Sequence, residues 1–127
     1  MKLPLVTILN IQPLYNRIQN KRLPIKLMYK LSKFFSSLND EVSFYQERLS
    51  KIIDQYSEKD EHGKPILSSE GIGVKIQKDL IKDCQVALNE LLNFEVEIPD
   101  TTFTLEELDN LDLSVDEFNM FLPLIEE

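Results

Sequence analysis

The chain has 127 residues, 43% hydrophobic and 28% charged, with a formal net charge of −8, one Cys and one His. That length supports one domain with a core of its own, while the lone Cys84 forbids an internal disulfide and fits a reducing compartment best. No apolar run approaches the roughly 20 residues needed to span a bilayer, and residues 1–7 lack the pattern of a signal peptide, so a soluble intracellular protein is expected.

Taken in order, Leu3 to Leu9 is rich in Val, Ile and Leu and alternates loosely, which predicts a short strand or extended arm. Asn10 is placed to cap a short helix with Pro13 in its first turn and Leu14 and Ile18 on its buried side. Pro24 then opens the dominant element, which runs to about Ser57 without a Gly or Pro inside it. Met28, Phe35, Val42, Leu49 and Tyr56 recur every seventh residue, and Leu31, Leu38, Tyr45 and Ile52 follow three places later, an a/d seam of coiled-coil type. A continuous helix here is about 50 Å long. Leu27, Phe34 and Ile53 widen the stripe, so more than one element should cover it.

The stretch Y-S-E-K-D-E-H-G-K-P at Tyr56 to Pro65 ends that helix in a charged turn, and Glu70-Gly71 is a second turn signal. Ile66-Leu67 and Ile72-Gly73-Val74 are expected to pair as a small mobile hairpin. From about Lys75 to Asn93 a second helix is indicated, with Ile76, Leu80, Ile81, Cys84, Ala87, Leu88, Leu91 and Leu92 on one side. At about 27 Å it can cover only the C-terminal half of the long helix, as an antiparallel partner. Phe94 to Ile98 alternates strictly and reads as a strand with Phe94, Val96 and Ile98 inward; its candidate partner inside the chain is Leu3 to Leu9, a segment equally able to pair with another subunit. Thr104 with Glu107, and Ser114 with Glu117, are capping boxes for short helices over Leu105–Leu108 and Val115–Phe121. The expected fold is mainly α: a long helix with a shorter antiparallel one, a short N-terminal helix, and a small β element with an acidic C-terminal cap. It reads as one domain with segments 1–23, 24–57, 58–75, 76–93 and 94–127.

Charge is steeply polarised. Residues 1–39 carry seven bases and no acid, and residues 94–127 carry eleven acids and no base. Such a chain can pair with itself end against end, or head to tail with a neighbour. The acidic cap is expected to pack on the basic end of the long helix.

Chemistry finds little to work with. Nucleophilic catalysis needs a base beside a nucleophile, and His62 sits alone in a turn while Cys84 falls on an apolar helix face as a small hydrophobe. One His and one distant Cys do not build a metal site. The carboxylates Glu106, Glu107, Asp109, Asp112, Asp116 and Glu117 lack the calcium-loop alternation with its central Gly, and Gly71-Ile72-Gly73 lacks the Gly-Lys-Ser/Thr of a phosphate loop. No catalytic residue, metal or cofactor is expected. The stripe Lys26, Lys30 and Lys33 could touch phosphates, but a solvated or acid-neutralised face explains it more simply, so nucleic acid is disfavoured.

The long helix, the Tyr56–Pro65 turn, E-L-L-N-F-E-V-E-I-P at Glu90 to Pro99 and L-E-E-L-D-N-L-D-L-S-V-D-E-F at Leu105 to Phe118 together resemble a group of small helical-hairpin proteins encoded by bacteriophages and prophages. The resemblance covers about residues 24 to 127, implies a phage origin and a location in the host cytoplasm or the virion, and brings no assigned catalytic or ligand-binding residue. The expectation is therefore a non-enzymatic phage protein that works by protein contact, as a virion or assembly component or an accessory factor, with homo-oligomers favoured by the opposite charges. Partner contacts are expected at Lys26, Met28, Lys30, Leu31, Lys33 and Phe35, on a seam left uncovered, and at Glu106, Asp109, Asp112 and Asp116. The rival expectation is an inhibitor whose acidic face disables a host defence or nucleic-acid enzyme.

Overall fold

A computed structural model describes residues 1–68 and 73–126. Length argued for one domain; the contacts gather the chain into two compact units, Met1–Val42 with Glu95–Glu127, and Ser43–Phe94.

In the first unit, strand β1 (Lys2–Pro4) pairs antiparallel with β2 (Glu95–Glu97), Leu3 opposite Val96, so the sheet that joins the two ends forms within one chain. The strand expected over Leu3 to Leu9 stops at Pro4. Helix α1 (Leu5–Ile11) follows instead, because Leu5, Ile8 and Ile11 recur at helical spacing and all three are fully buried. Asn10 accordingly lies inside α1 and caps nothing, while Pro13 sits in a single 3-10 turn, Gln12–Leu14, that leads into α2 (Tyr15–Ile18).

Helix α3 (Ile25–Tyr56) is the continuous 32-residue element that the sequence predicts. Its buried set is Leu27, Leu31, Phe34, Phe35 and Leu38, spaced as a broad stripe of a straight helix. Tyr15 stacks on Phe35 at 4.9 Å between ring centroids, and Phe103 meets Phe34 edge-on at 5.6 Å. The basic half of α3, beyond the reach of the second helix, is covered as expected by the acidic cap, with α2 beside it, and the seam positions Leu31 and Phe35 are closed over.

The cap contains α5 (Leu105–Asp109) and α6 (Val115–Met120), each opened by a complete capping box, Thr104 with Glu107 and Ser114 with Glu117. Thr104→Ala removes the hydroxyl that accepts the Glu107 N–H at 3.1 Å, and should lower unfolding free energy by about 1 kcal/mol. A urea midpoint that falls at unchanged m-value would report it. The chain ends in a 3-10 turn, Leu122–Leu124, and a parallel bridge from Ile125 to Phe103.

The second unit contains the last part of α3, the connection after it and α4 (Ile81–Leu92), preceded by a 3-10 turn, Lys78–Leu80. Antiparallel placement follows from its two ends. Gln77 N–H donates to the Tyr56 carbonyl at 3.0 Å, and Phe94 stacks on Phe44 with ring centroids 6.0 Å apart. Phe94, expected inward on β2, is therefore off the strand and 53% exposed. The connection is more than a hairpin. Glu58 N–H donates to the Lys75 carbonyl (2.7 Å), Lys75 N–H to Ile66 (2.8 Å) and Ile66 N–H to Glu58 (2.9 Å), closing three extended segments into a ring. Leu67 pairs with Val74, one residue from each of the two segments expected to form the hairpin; Glu70 and Gly71, its expected turn, and Ile72 of its second segment lie outside the described residues.

Candidate functional site

The acidic cap docks through the same side chains that start its helices. Glu107 Oε1 accepts from the Thr104 N–H of its own capping box at 2.9 Å and from Lys30 Nζ on α3, also at 2.9 Å. Glu117 repeats the arrangement: its Oε1 accepts from the Ser114 N–H at 2.9 Å and from Arg17 Nη2 at 2.7 Å, and its Oε2 accepts from Arg17 Nε at 3.2 Å. The second contact is a two-pronged guanidinium–carboxylate pair, which fixes orientation as well as distance. Arg17 Nη1 also reaches the Asp112 carbonyl at 3.4 Å, and Lys21 Nζ lies 3.9 Å from Asp112 Oδ2.

These contacts set the titration of both glutamates. Burial would raise the Glu107 pKa, but the Lys30 hydrogen bond, the Thr104 N–H and the Lys30 charge outweigh it and the net shift is downward. Glu117 is lowered chiefly by the Ser114 N–H, against burial, with Arg17 adding to the effect. A carboxylate held below its unfolded pKa stabilises the fold fully above that unfolded value and loses the contribution as pH falls through the folded one. Acid should therefore weaken the first unit below about pH 4.3. The slope of urea midpoint against pH should flatten in a Glu107→Gln, Glu117→Gln double variant.

The residues singled out for partner contact separate into three groups. Leu31 and Phe35 are buried, and as surface contacts they are withdrawn: Tyr15 and the cap already cover that seam. Lys30 is committed to Glu107, and its ammonium lies 4.9 Å from the Phe103 ring centroid. Lys26, Lys33, Met28, Glu106, Asp109, Asp112 and Asp116 are exposed; Lys26 and Lys33 fall on one face and Asp109 and Asp112 on another, while Met28 lines a depression with Tyr15 and Ile18.

One face is a shallow groove of about 370 Å³ between α5 and α6. Leu105, Leu108, Leu113, Val115 and Phe118 give it an apolar floor and wall, and Asp109 and Asp112 border it. Leu105 is 62% and Val115 78% exposed, while Asp112 takes a left-handed backbone conformation, φ 54°, where the chain turns from one helix to the next. Glu106 lies on α5 beside Asp109, and Asp116 borders a different depression with Thr7, Asn10 and Pro123. The other face is the first two turns of α3, where Ile25 (79% exposed), Tyr29 (63%) and Lys33 form a row at intervals of four, with Lys26 beside them. Lys33 Nζ lies 5.1 Å from the Tyr29 ring centroid.

Elsewhere, His62 is exposed with Nε2 3.6 Å from Glu61, and the backbone around it is tied by Asp60, whose Oδ1 accepts from His62 N and Lys64 N. Cys84 is buried, and burial pushes its thiol pKa up, away from the reactive thiolate. Among the described residues no group of three or more His, Cys, Asp or Glu could hold a metal ion, and no helix is long and apolar enough to cross a membrane. No protein-family model, no curated protein and no solved structure matches this chain.

Proposed function

We propose that this chain is a non-enzymatic bacteriophage protein that acts through protein–protein contacts, as a virion or assembly component or an accessory factor. The phage origin rests on the resemblance of the segments between residues 24 and 127. The observation that carries the contact reading is the pairing of exposed apolar side chains with exposed charge: Leu105 and Val115 beside Asp109 and Asp112 on one face, Ile25 and Tyr29 beside Lys26 and Lys33 on another. Scattered exposed apolar residues are ordinary, but apolar patches rimmed with charge are the usual dress of interaction sites.

A second reading is favoured by one feature. The carboxylates of Glu106, Asp109 and Asp116 have no ion pair among the described residues, so an inhibitor that presents them to the basic channel of a host defence or nucleic-acid enzyme is supported as well. Binding to nucleic acid through the lysine stripe is disfavoured, since Lys30 is taken up by Glu107.

Mass spectrometry of purified phage particles separates the two. A structural component should be found in them at a stoichiometry well above background. An inhibitor should be absent from them and should pull down a host nucleic-acid enzyme in a salt-sensitive way. Absence from particles together with no salt-sensitive capture would sink the virion-component and inhibitor readings and leave only the accessory factor.

A further inference from the structure

Resting on the contact reading above, we infer that the acidic groove between α5 and α6 receives the basic row Ile25–Tyr29–Lys33 of a second copy of this chain, in a head-to-tail contact. Two complementary and unlike patches on one surface are what such a contact requires. An isologous dimer needs one self-complementary patch, whereas two different patches make a heterologous contact that closes into a ring or runs on as a filament.

The fit is chemical at each point. The row offers two apolar side chains one helical turn apart, Ile25 and Tyr29, and its length from Ile25 to Lys33 is about 12 Å. The groove offers apolar walls from Leu105, Val115 and Phe118. Lys26 and Lys33 flank the row, and Asp109 and Asp112 border the groove. Lys26 and Asp109 have no ion-pair partner among the described residues, and Asp112 has only the distant Lys21.

The chain has in effect already made this contact once within itself. Lys30 and Arg17 meet the cap at Glu107 and Glu117, which consumes the inner bases and the inner acids. What remains is the outer row of bases on one side and the outer acids on the other, each with apolar neighbours that no part of the first unit covers. Both patches belong to that unit and stay exposed to water in a single copy. A second copy supplies the opposite patch at equal concentration, and burying the apolar side chains between the two charged rims stabilises the contact beyond what water offers them.

The test uses the full chain and two double variants in sedimentation velocity at low salt. One, Tyr29→Ser with Lys33→Glu, spoils the row; the other, Leu105→Ser with Asp109→Lys, spoils the groove. All four positions are exposed, and unchanged thermal unfolding shows that each variant is folded. The unaltered chain should sediment faster as its concentration rises, and lose that rise at high salt. Each double variant alone should sediment as a monomer. Their mixture should form a one-to-one dimer and grow no further, because only one competent row and one competent groove remain. Association that survives in both variants would overturn the proposal by placing the contact elsewhere. A chain that stays monomeric at every concentration would overturn it too. So would a monomeric chain whose groove takes up a lysine-rich amphipathic peptide, which would hand the groove to a different partner. In either monomeric case recovery of the protein in phage particles would leave the broader contact reading standing.

Discussion

Replacing Phe103 with Ala should cost about 3–5 kcal/mol, the range for deleting a fully buried phenyl ring, out of a total stability of about 5–15 kcal/mol for a domain. Phe103 has no exposed surface, and its ring meets Phe34 at 5.6 Å and 84° and Phe121 at 5.6 Å and 86°. Both are edge-on contacts, each worth about 0.5–1.5 kcal/mol beyond the area they bury. Lys30 Nζ over the same ring would lose its aromatic face while keeping Glu107. The backbone bonds of residue 103, from its N–H to Leu124 O at 2.7 Å and from Glu126 N–H to its carbonyl at 2.8 Å, survive in the variant. The loss therefore reports the ring's own contacts, its packing and the Lys30 ammonium over its face, and not the backbone. Thermal unfolding should shift down by on the order of 10–20 °C. A shift smaller than that caused by Thr104→Ala would mean that the cap does not pack on α3, and the account of both faces would fall with it.

How far the sequence could be read depended on the range of the signal. The long helix was legible because no breaker interrupts residues 25–56, and the capping boxes because their partners lie three residues apart. The pairing of β1 with β2 was legible from alternation in the segments Leu3 to Leu9 and Phe94 to Ile98, but the register of Leu3 opposite Val96 was not. Alternation misled from Leu5 onward, since Leu5, Ile8 and Ile11 satisfy a helical period as well, and burial against the rest of the first unit decided for the helix. The seam was misread for a related reason. A seven-residue repeat and a straight helical stripe share Leu31, Phe35 and Leu38; the sequence also placed Leu27 and Phe34 on the stripe, and tertiary contact shows that these two are buried while the seam residue Met28 is left partly outside. The double role of Glu107 and Glu117 had no local signal: Arg17 and Glu117 are 100 residues apart. Charge segregation was visible, and it said that bases and acids would meet, but not which of them would be used up inside the chain. The ring of hydrogen bonds through Glu58, Ile66 and Lys75 is made by backbone atoms and leaves no side-chain trace.

Ser36→Pro should destabilise the chain by about 3 kcal/mol or more, whereas Ser36→Ala should be neutral or slightly stabilising. Position 36 is exposed on α3, so neither change touches the core directly, and both remove the same hydroxyl. The difference between them isolates the backbone. Proline lacks the N–H that an α-helix pairs with the carbonyl four residues back, and its ring clashes with that carbonyl and kinks the axis. On α3 the kink would fall between Leu27 and Leu31 on one side and Leu38 on the other, residues that are buried together only because the helix is straight through them. The packing of Tyr15 on Phe35 and of Phe103 on Phe34 straddles the same place. The expected readings are a lower urea midpoint and a loss of helical far-ultraviolet circular dichroism, with the alanine variant beside the unaltered chain. The exposed row Ile25–Tyr29–Lys33 lies on the turns before position 36 and keeps its alignment in both variants. Equal midpoints for the proline and alanine variants would show that the helix is already interrupted there. The stripe from Leu27 to Leu38 that fixes the cap would then lose its physical basis.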